Sequence, residues 1–160
     1  MTTRDHFDSG IRRRRALLDT LRNDAKTMFD ELAQVIGSVS SETLHDAPAA
    51  ALDAVGEFCR VTDFAAASDD GRTWLRNRLG LYVTRYFLVR YGGRLDVQDD
   101  PARRFYLHFV VTGMELPIAP GAQLDPFTIA HDVVDAMPKS SLADSIHAAE
   151  RSLLAQAPEQ

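Results

Sequence analysis

The chain has 160 residues, of which 45% are hydrophobic and 26% charged, enough to build one domain around a substantial core. No stretch approaches the roughly 18 uninterrupted apolar residues of a membrane helix, and no secretory signal is visible. The net charge of −5 argues against general nucleic-acid affinity, and the single cysteine, Cys59, fits a reducing compartment. We therefore predict one cytoplasmic domain over residues 1–160, with flexible ends at 1–8 and 156–160.

The charges are distributed unevenly along the chain. Residues 38–70 carry seven acidic side chains and only Arg60 as a base, whereas residues 71–94 carry six arginines and no acid. Arginine suits internal ion pairs because its planar fork binds a carboxylate through two hydrogen bonds. We therefore predict that these arginines pair inside the domain with acids of residues 38–70 and 125–135.

A long first helix is predicted from Asp8 or Ser9, both good caps, to Gly37. Apolar residues three and four positions apart form one stripe along it. The residues of this stripe are Leu18, Leu21, Ala25, Met28, Leu32 and Val35. Such a helix would form one long edge of the domain or the seam of a homodimer.

The next helix is predicted after a turn at residues 38–41 and a possible short helical turn. Asp46 would cap this helix, with Pro48 in its first turn, where the missing N–H costs nothing. The run Ser68–Gly71 marks a clear break before the following element.

Residues 72–91 give the strongest helix prediction. Apolar and aromatic side chains leave few directions around this helix uncovered, which is typical of a central helix. Gly92 and Gly93 would end it, since glycine readily adopts the left-handed conformation past the last turn. Its arginines, interleaved with aromatic residues, could instead form a nucleic-acid surface if they were exposed on one face. These arginines are Arg72, Arg76, Arg78, Arg85 and Arg90, with Arg94 just beyond.

The hydrophobic period then changes from 3.6 to 2. Residues 94–98 and 104–112 predict two strands, and the turn at Asp99–Pro101 between them favours an antiparallel hairpin. Leu116 or Gln123–Leu124 could add a third strand.

Two further helices complete the predicted fold. Asp125 followed by Pro126 is a typical helix start, and Ser141 with Asp144 resembles a capping box. The predicted fold class is α+β, predominantly helical, with about five helices around the central helix 72–91.

A compact basic cluster lies at the start of the first helix. Cations there oppose the helix dipole, so the cluster does not serve the helix itself. It could contact an anion, an acidic partner or a nucleic acid, or it could be ordinary solvated charge. The cluster consists of Arg12, Arg13, Arg14 and Arg15. The alternative function is therefore a nucleic-acid-associated regulator that uses these arginines and the first helix.

The sequence contains no clear catalytic or metal-binding motif. Its five histidines show neither an HExxH pattern nor close zinc-ligand spacing. His131 and Asp135, four apart on a helix, could share a metal or an enzyme pocket with His108, or they could be surface residues. Cys59 has no adjacent base, which indicates a buried, inert thiol. We predict no catalytic residue, no cofactor and no metal.

Three short features resemble parts of small uncharacterised bacterial domains. Leu79–Val83 contains their G-x-Y pattern, the glycine pair at 92–93 leads directly into a strand, and Leu124–Phe127 resembles their dPf element. Some of these domains resemble immunity proteins that neutralise bacterial toxins. The resemblance implies an α+β interaction domain and brings no catalytic residues.

The leading functional prediction is a non-enzymatic protein-interaction module of the immunity or adaptor type. An acidic face can steer a basic partner protein toward its binding site. The candidate partner-binding residues are Asp46, Asp53, Glu57, Asp63, Asp132 and Asp135.

Overall fold

The computed structural model describes residues 3–64 and 66–156, and this part of the chain forms six helices and one two-stranded antiparallel sheet. The helices are α1 (Thr3–Ile36), α2 (Ser41–Asp46), α3 (Leu52–Val61), α4 (Asp69–Tyr91), α5 (Pro126–Ala136) and α6 (Leu142–Ala155). The strands are β1 (Arg94–Val97) and β2 (Phe109–Thr112). The predicted class, a predominantly helical α+β fold with an antiparallel hairpin, is confirmed.

Helix α4 is the central element that the sequence predicted. It begins after Ser68, whose hydroxyl accepts a hydrogen bond from the Gly71 N–H at 3.1 Å, and ends at Gly92, with φ of 70°. Tyr82 and Phe87 are completely buried, and α4 packs against α1, α2, α5 and β2. The apolar side chains around this helix are therefore covered by neighbouring elements on several sides.

Gly80 allows α5 to approach α4 closely. A Cβ atom at this position would overlap the ring of Phe127 on α5. The aromatic ring of Phe127 also meets that of Phe109 from β2 edge-on, with centroids 5.6 Å apart. This contact fixes α5 against both the central helix and the hairpin.

Helix α1 is longer than predicted, since it begins at Thr3 rather than at Asp8 or Ser9. Residues 3–8, which belong to the end predicted to be flexible, are part of this helix, and the Ser9 hydroxyl donates to the His6 carbonyl. Only the later turns are well buried, and Val35, at the end of the predicted stripe, is exposed. Of the predicted flexible tail, Gln156 follows α6, and 157–160 lie outside the described residues.

The segment between α2 and α3 differs from the prediction. Ser40 caps α2, and Asp46 is the last residue of that helix rather than the cap of the next one. Pro48 lies in a series of tight turns before α3, where its carbonyl accepts a hydrogen bond from the Tyr82 hydroxyl at 2.7 Å. Tertiary anchoring to α4 therefore delays the start of the helix until Leu52.

The second strand is shorter than the predicted 104–112. The hairpin pairs Arg94 with Thr112 and Val97 with Phe109, whereas residues 104–108 form turns. Leu107 has φ of 64°, which a strand does not allow, and its side chain lies against Gly10 of α1. Leu107, one apolar residue of the alternation that resembled a strand, therefore packs on α1. Beyond β2, a single bridge joins Val111 to Leu124 in place of a third strand.

The last two helices begin as predicted. Asp125 accepts a hydrogen bond from the Thr128 N–H at 2.9 Å, and Ser141 accepts one from the Asp144 N–H at 3.2 Å. Among the described residues, no helix combines the length and the apolar character needed to cross a membrane.

Candidate functional site

The arginines of α4 are largely neutralised within the domain. Arg78, whose side chain is 13% exposed, donates to Glu31 of α1 at 2.6 and 3.1 Å, and its guanidinium lies 4.1 Å from the Trp74 ring centroid. The prediction of internal pairing is therefore confirmed for Arg78. Its carboxylate partner comes from α1, however, and not from residues 38–70.

Helices α5 and α6 supply further partners for these arginines. Arg76 pairs with Asp135, and this hydrogen bond is the main cause that lowers the pKa of the Asp135 carboxyl. Arg90 lies 3.6 Å from Glu150 on α6. Arg85 donates instead to the backbone carbonyl of His45 at 3.0 Å. Helix α4 therefore does not present a row of free cations to solvent.

The predicted acidic residues are distributed over α2, α3, the turn after α3, and α5. Several are already engaged locally: Glu57 with Arg60 at 2.7 Å, and Asp46 with His45 at 2.6 Å. Asp135 binds both Arg76 and His131. Asp53, Asp63 and Asp132 are exposed.

A cleft of about 360 Å³ lies where α1, β2 and α5 meet. It brings together residues that are far apart in the sequence and that include two of the predicted histidines. Its lining residues are Arg14, His108, Phe109, Asp125, Phe127, Thr128 and His131.

Asp125 is the buried anchor of this cleft, with only 5% of its side chain exposed. One carboxylate oxygen accepts the Thr128 N–H, and the other accepts the Thr128 hydroxyl at 2.8 Å and His108 Nδ1 at 2.5 Å. These donors offset the desolvation of the charge. The same carboxylate therefore starts α5 and orients the His108 ring, whose Nε2 remains for a ligand.

His131 and Arg14 also line the cleft. His131 is oriented in a similar way, since its Nδ1 lies 3.0 Å from Asp135. The Arg14 guanidinium lies over the Phe109 ring, 5.6 Å from its centroid, and has no carboxylate partner among the described residues. Three nitrogen-bearing side chains from three segments thus face one cavity.

A second cavity, of about 400 Å³, adjoins the cleft and shares Asp125 and Thr128 with it. Arg103 and Arg104 lie at this cavity, but neither forms an ion pair in the described part of the chain. Arg103 donates to the Gly121 carbonyl at 3.0 Å, and Arg104 lies over the Phe105 ring at 5.1 Å.

The predicted basic cluster is divided between different environments. Arg14 reaches the cleft, Arg15 pairs with Asp99 at 2.9 Å, Arg12 donates to a backbone carbonyl of its own helix, and Arg13 is exposed. Sequence reasoning suggested the His108 and His131 pocket but treated Asp125 only as a cap. It also missed Arg103 and Arg104. The sequence feature that could have indicated them is a pair of adjacent arginines after the turn at Asp99–Pro101.

Two predictions about chemistry can be compared with the structure. No group of three metal-ligating side chains is found among residues 3–64 and 66–156, so His108, His131 and Asp135 do not assemble a metal centre there. Cys59 is buried, as predicted, and burial raises the pKa of its thiol to about 12. The thiol therefore stays protonated and unreactive at neutral pH.

Comparison of the chain with protein-family models, curated proteins and solved structures found no match. The resemblance to bacterial immunity-type domains therefore stays a prediction. The class that the structure defines is a predominantly helical α+β domain, with a cleft lined by one arginine and two histidines.

Proposed function

We propose that this protein is a binding module whose ligand carries an anionic group, held in the cleft between α1, β2 and α5. The observation that carries the proposal is a contrast between two sets of arginines. Arg76 and Arg78 on α4 have carboxylate partners, whereas Arg14, at the cleft, has none among the described residues. A cation left without an internal partner beside a cavity is available to an external anion.

The one carboxylate that lines the cleft forms no ion pair with Arg14 in the described part of the chain. Asp125 is buried and already accepts hydrogen bonds from Thr128 and His108. A guanidinium can bind an anionic oxygen pair through two parallel bonds, and charged hydrogen bonds are about twice as strong as neutral ones. Arg14 therefore supplies a donor pair that matches a phosphate or carboxylate group, and His108 and His131 add Nε2–H donors when their rings are doubly protonated.

The proposal is tested by titrating the protein with inorganic phosphate and comparing two neighbouring substitutions. Arg14→Gln removes the guanidinium at the cleft, whereas Arg13→Gln removes an adjacent, exposed one that does not line it. We expect Arg14→Gln to weaken binding about tenfold, equivalent to one charged hydrogen bond, and Arg13→Gln to have little effect. Absence of binding, or equal effects of both substitutions, would contradict the proposal.

The protein-interaction role remains a second proposal with separate support. Asp53 and Asp132 are exposed and have no ion pair in the described part of the chain, so these two carboxylates are available to a basic partner protein. The test first captures a partner with the wild-type protein and purifies it. The double variant Asp53→Lys with Asp132→Lys should then fail to bind the purified partner. Retained binding to that purified partner would remove this proposal.

The compartment is also part of the proposal. The chain has one cysteine, Cys59, which is buried and free. An unpaired thiol is compatible with a reducing environment, and this supports placement in the cytoplasm.

A further inference from the structure

We infer that the anion is the phosphate of a nucleotide, with its phosphate in the cleft and its base in the adjoining cavity. This inference rests on the proposed function and adds the chemical class of the ligand. It depends on the different side chains that line the two cavities.

The cleft is the phosphate half of this site. Arg14, His108 and His131 come from α1, from the loop before β2 and from α5, and all three line the same cavity. Nδ1 of each imidazole lies beside a carboxylate, so Nε2 is the ring nitrogen left to face a phosphate oxygen, to which it donates when the ring is doubly protonated. A phosphate has three terminal oxygens, which matches donors that approach from three directions.

The adjoining cavity has a different composition. Phe105, Ile129 and Leu153 provide apolar surface, and Gln123, Ser152 and Gln156 provide amide and hydroxyl groups. Apolar walls combined with a few polar groups suit a flat heteroaromatic ring, whose faces are apolar and whose edges donate and accept hydrogen bonds. The exposed Arg104 guanidinium, already lying over Phe105, adds a second flat group for stacking.

The two cavities are adjacent. Asp125 and Thr128 line both, and the Phe105 ring of the cavity lies 6.0 Å from the His108 ring of the cleft. Their volumes, about 360 and 400 Å³, each fall within the usual range of small-molecule sites, roughly 300–1,000 Å³. A phosphate bound at His108 would therefore place its attached organic group near the second cavity.

The test uses isothermal titration with inorganic phosphate, adenosine 5′-monophosphate, uridine 5′-monophosphate and adenosine. Ser152→Trp fills the second cavity from an exposed position on α6, and Ala148→Trp adds the same ring at an exposed position away from it. We expect at least one nucleotide to bind about tenfold more tightly than inorganic phosphate. Ser152→Trp should remove this advantage without changing phosphate affinity, and Ala148→Trp should change neither value.

The outcomes separate the two proposals. If phosphate binds but both nucleotides bind no more tightly, or if Ser152→Trp leaves nucleotide affinity intact, the nucleotide assignment is wrong and anion binding stands. If neither phosphate nor nucleotides bind, both proposals fail. A 5′-phosphorylated tetranucleotide identifies the source: tighter binding than the mononucleotide, with a steep salt dependence, assigns the site to a strand end, and equal binding assigns it to a free nucleotide.

Discussion

Nδ1 of His108 lies 2.5 Å from a carboxylate oxygen of Asp125, which joins a half-exposed imidazole to an almost fully buried acid. Asp125 is at the same time the N-cap of α5. One residue therefore links the stability of a helix to the orientation of a side chain in the cleft. The two roles can be separated by substituting each partner.

Asp125→Ala should destabilise the protein, whereas His108→Ala should mainly affect binding. Loss of the N-cap costs about 1–2 kcal/mol, and the Thr128 hydroxyl also loses its acceptor. His108 is half-exposed, and the Asp125 oxygen that it contacts keeps the Thr128 hydroxyl as a donor, so removal of His108 should cost less than removal of Asp125, about 1 kcal/mol. Urea denaturation measures the free energy of unfolding of both variants, and equal losses would contradict the assigned roles.

Gly80→Ala and Gly56→Ala should change stability in opposite directions. A methyl group at position 80 overlaps the Phe127 ring, and overpacking of this kind costs about 1–3 kcal/mol. At position 56, in the interior of α3, an added methyl group meets no atom within 4 Å. Alanine there should stabilise the helix by about 0.5–1 kcal/mol.

The comparison is made by thermal or chemical unfolding of both glycine variants. Replacing Phe127 with leucine in the Gly80→Ala background should restore part of the lost stability if the ring is the obstacle. If Gly80→Ala leaves the free energy of unfolding unchanged, α4 and α5 are packed loosely enough at this point to accept a methyl group.

Arg78→Gln should cost more stability than Arg60→Gln. Arg78 is largely buried and holds both Glu31 and the Trp74 ring, so its removal should cost about 1–3 kcal/mol. Arg60 pairs with Glu57 on the surface of α3, where such pairs contribute about 0–1 kcal/mol. Denaturation of the two variants in low and high salt gives the comparison. If Arg60→Gln lowers the free energy of unfolding as much as Arg78→Gln or more, the internal role of Arg78 is refuted.

The Arg76 and Asp135 pair should make stability depend on acidic pH. The pKa of Asp135 is lowered from its ordinary value of 3.8, chiefly by the hydrogen bond from Arg76. A lowered pKa in the folded state gives stability that is present above the ordinary value and is lost as pH falls through the lowered value. The stability difference between wild type and Arg76→Gln should therefore shrink between pH 5 and pH 2, and a constant difference would contradict this linkage.

Local signals in the sequence predicted the elements that depend on local chemistry. The starts of α5 and α6 follow from Asp125, Pro126 and Ser141, because caps act within one helical turn. The burial of α4 follows from its composition, since a helix that is apolar on most sides needs neighbours on most sides.

Tertiary contacts decided the elements that the sequence did not predict. Residues 104–108 alternate like a strand, yet Leu107 has a positive φ and packs against α1. Likewise, Arg78 found its partner in Glu31, on a helix outside the acidic segment that its charge pattern suggested. The cleft combines Arg14, His108 and His131 from three separate segments, and no local pattern could show that they meet.

The central claim is that the cleft binds an anion, and NMR of the histidine side chains during phosphate titration tests it most directly. The account predicts that the signals of His108 and His131 shift together with one dissociation constant. Those of His6 and His147 should stay in place, and Arg14→Gln should weaken the response about tenfold. Uniform small shifts of all histidines, unchanged by Arg14→Gln, would contradict it.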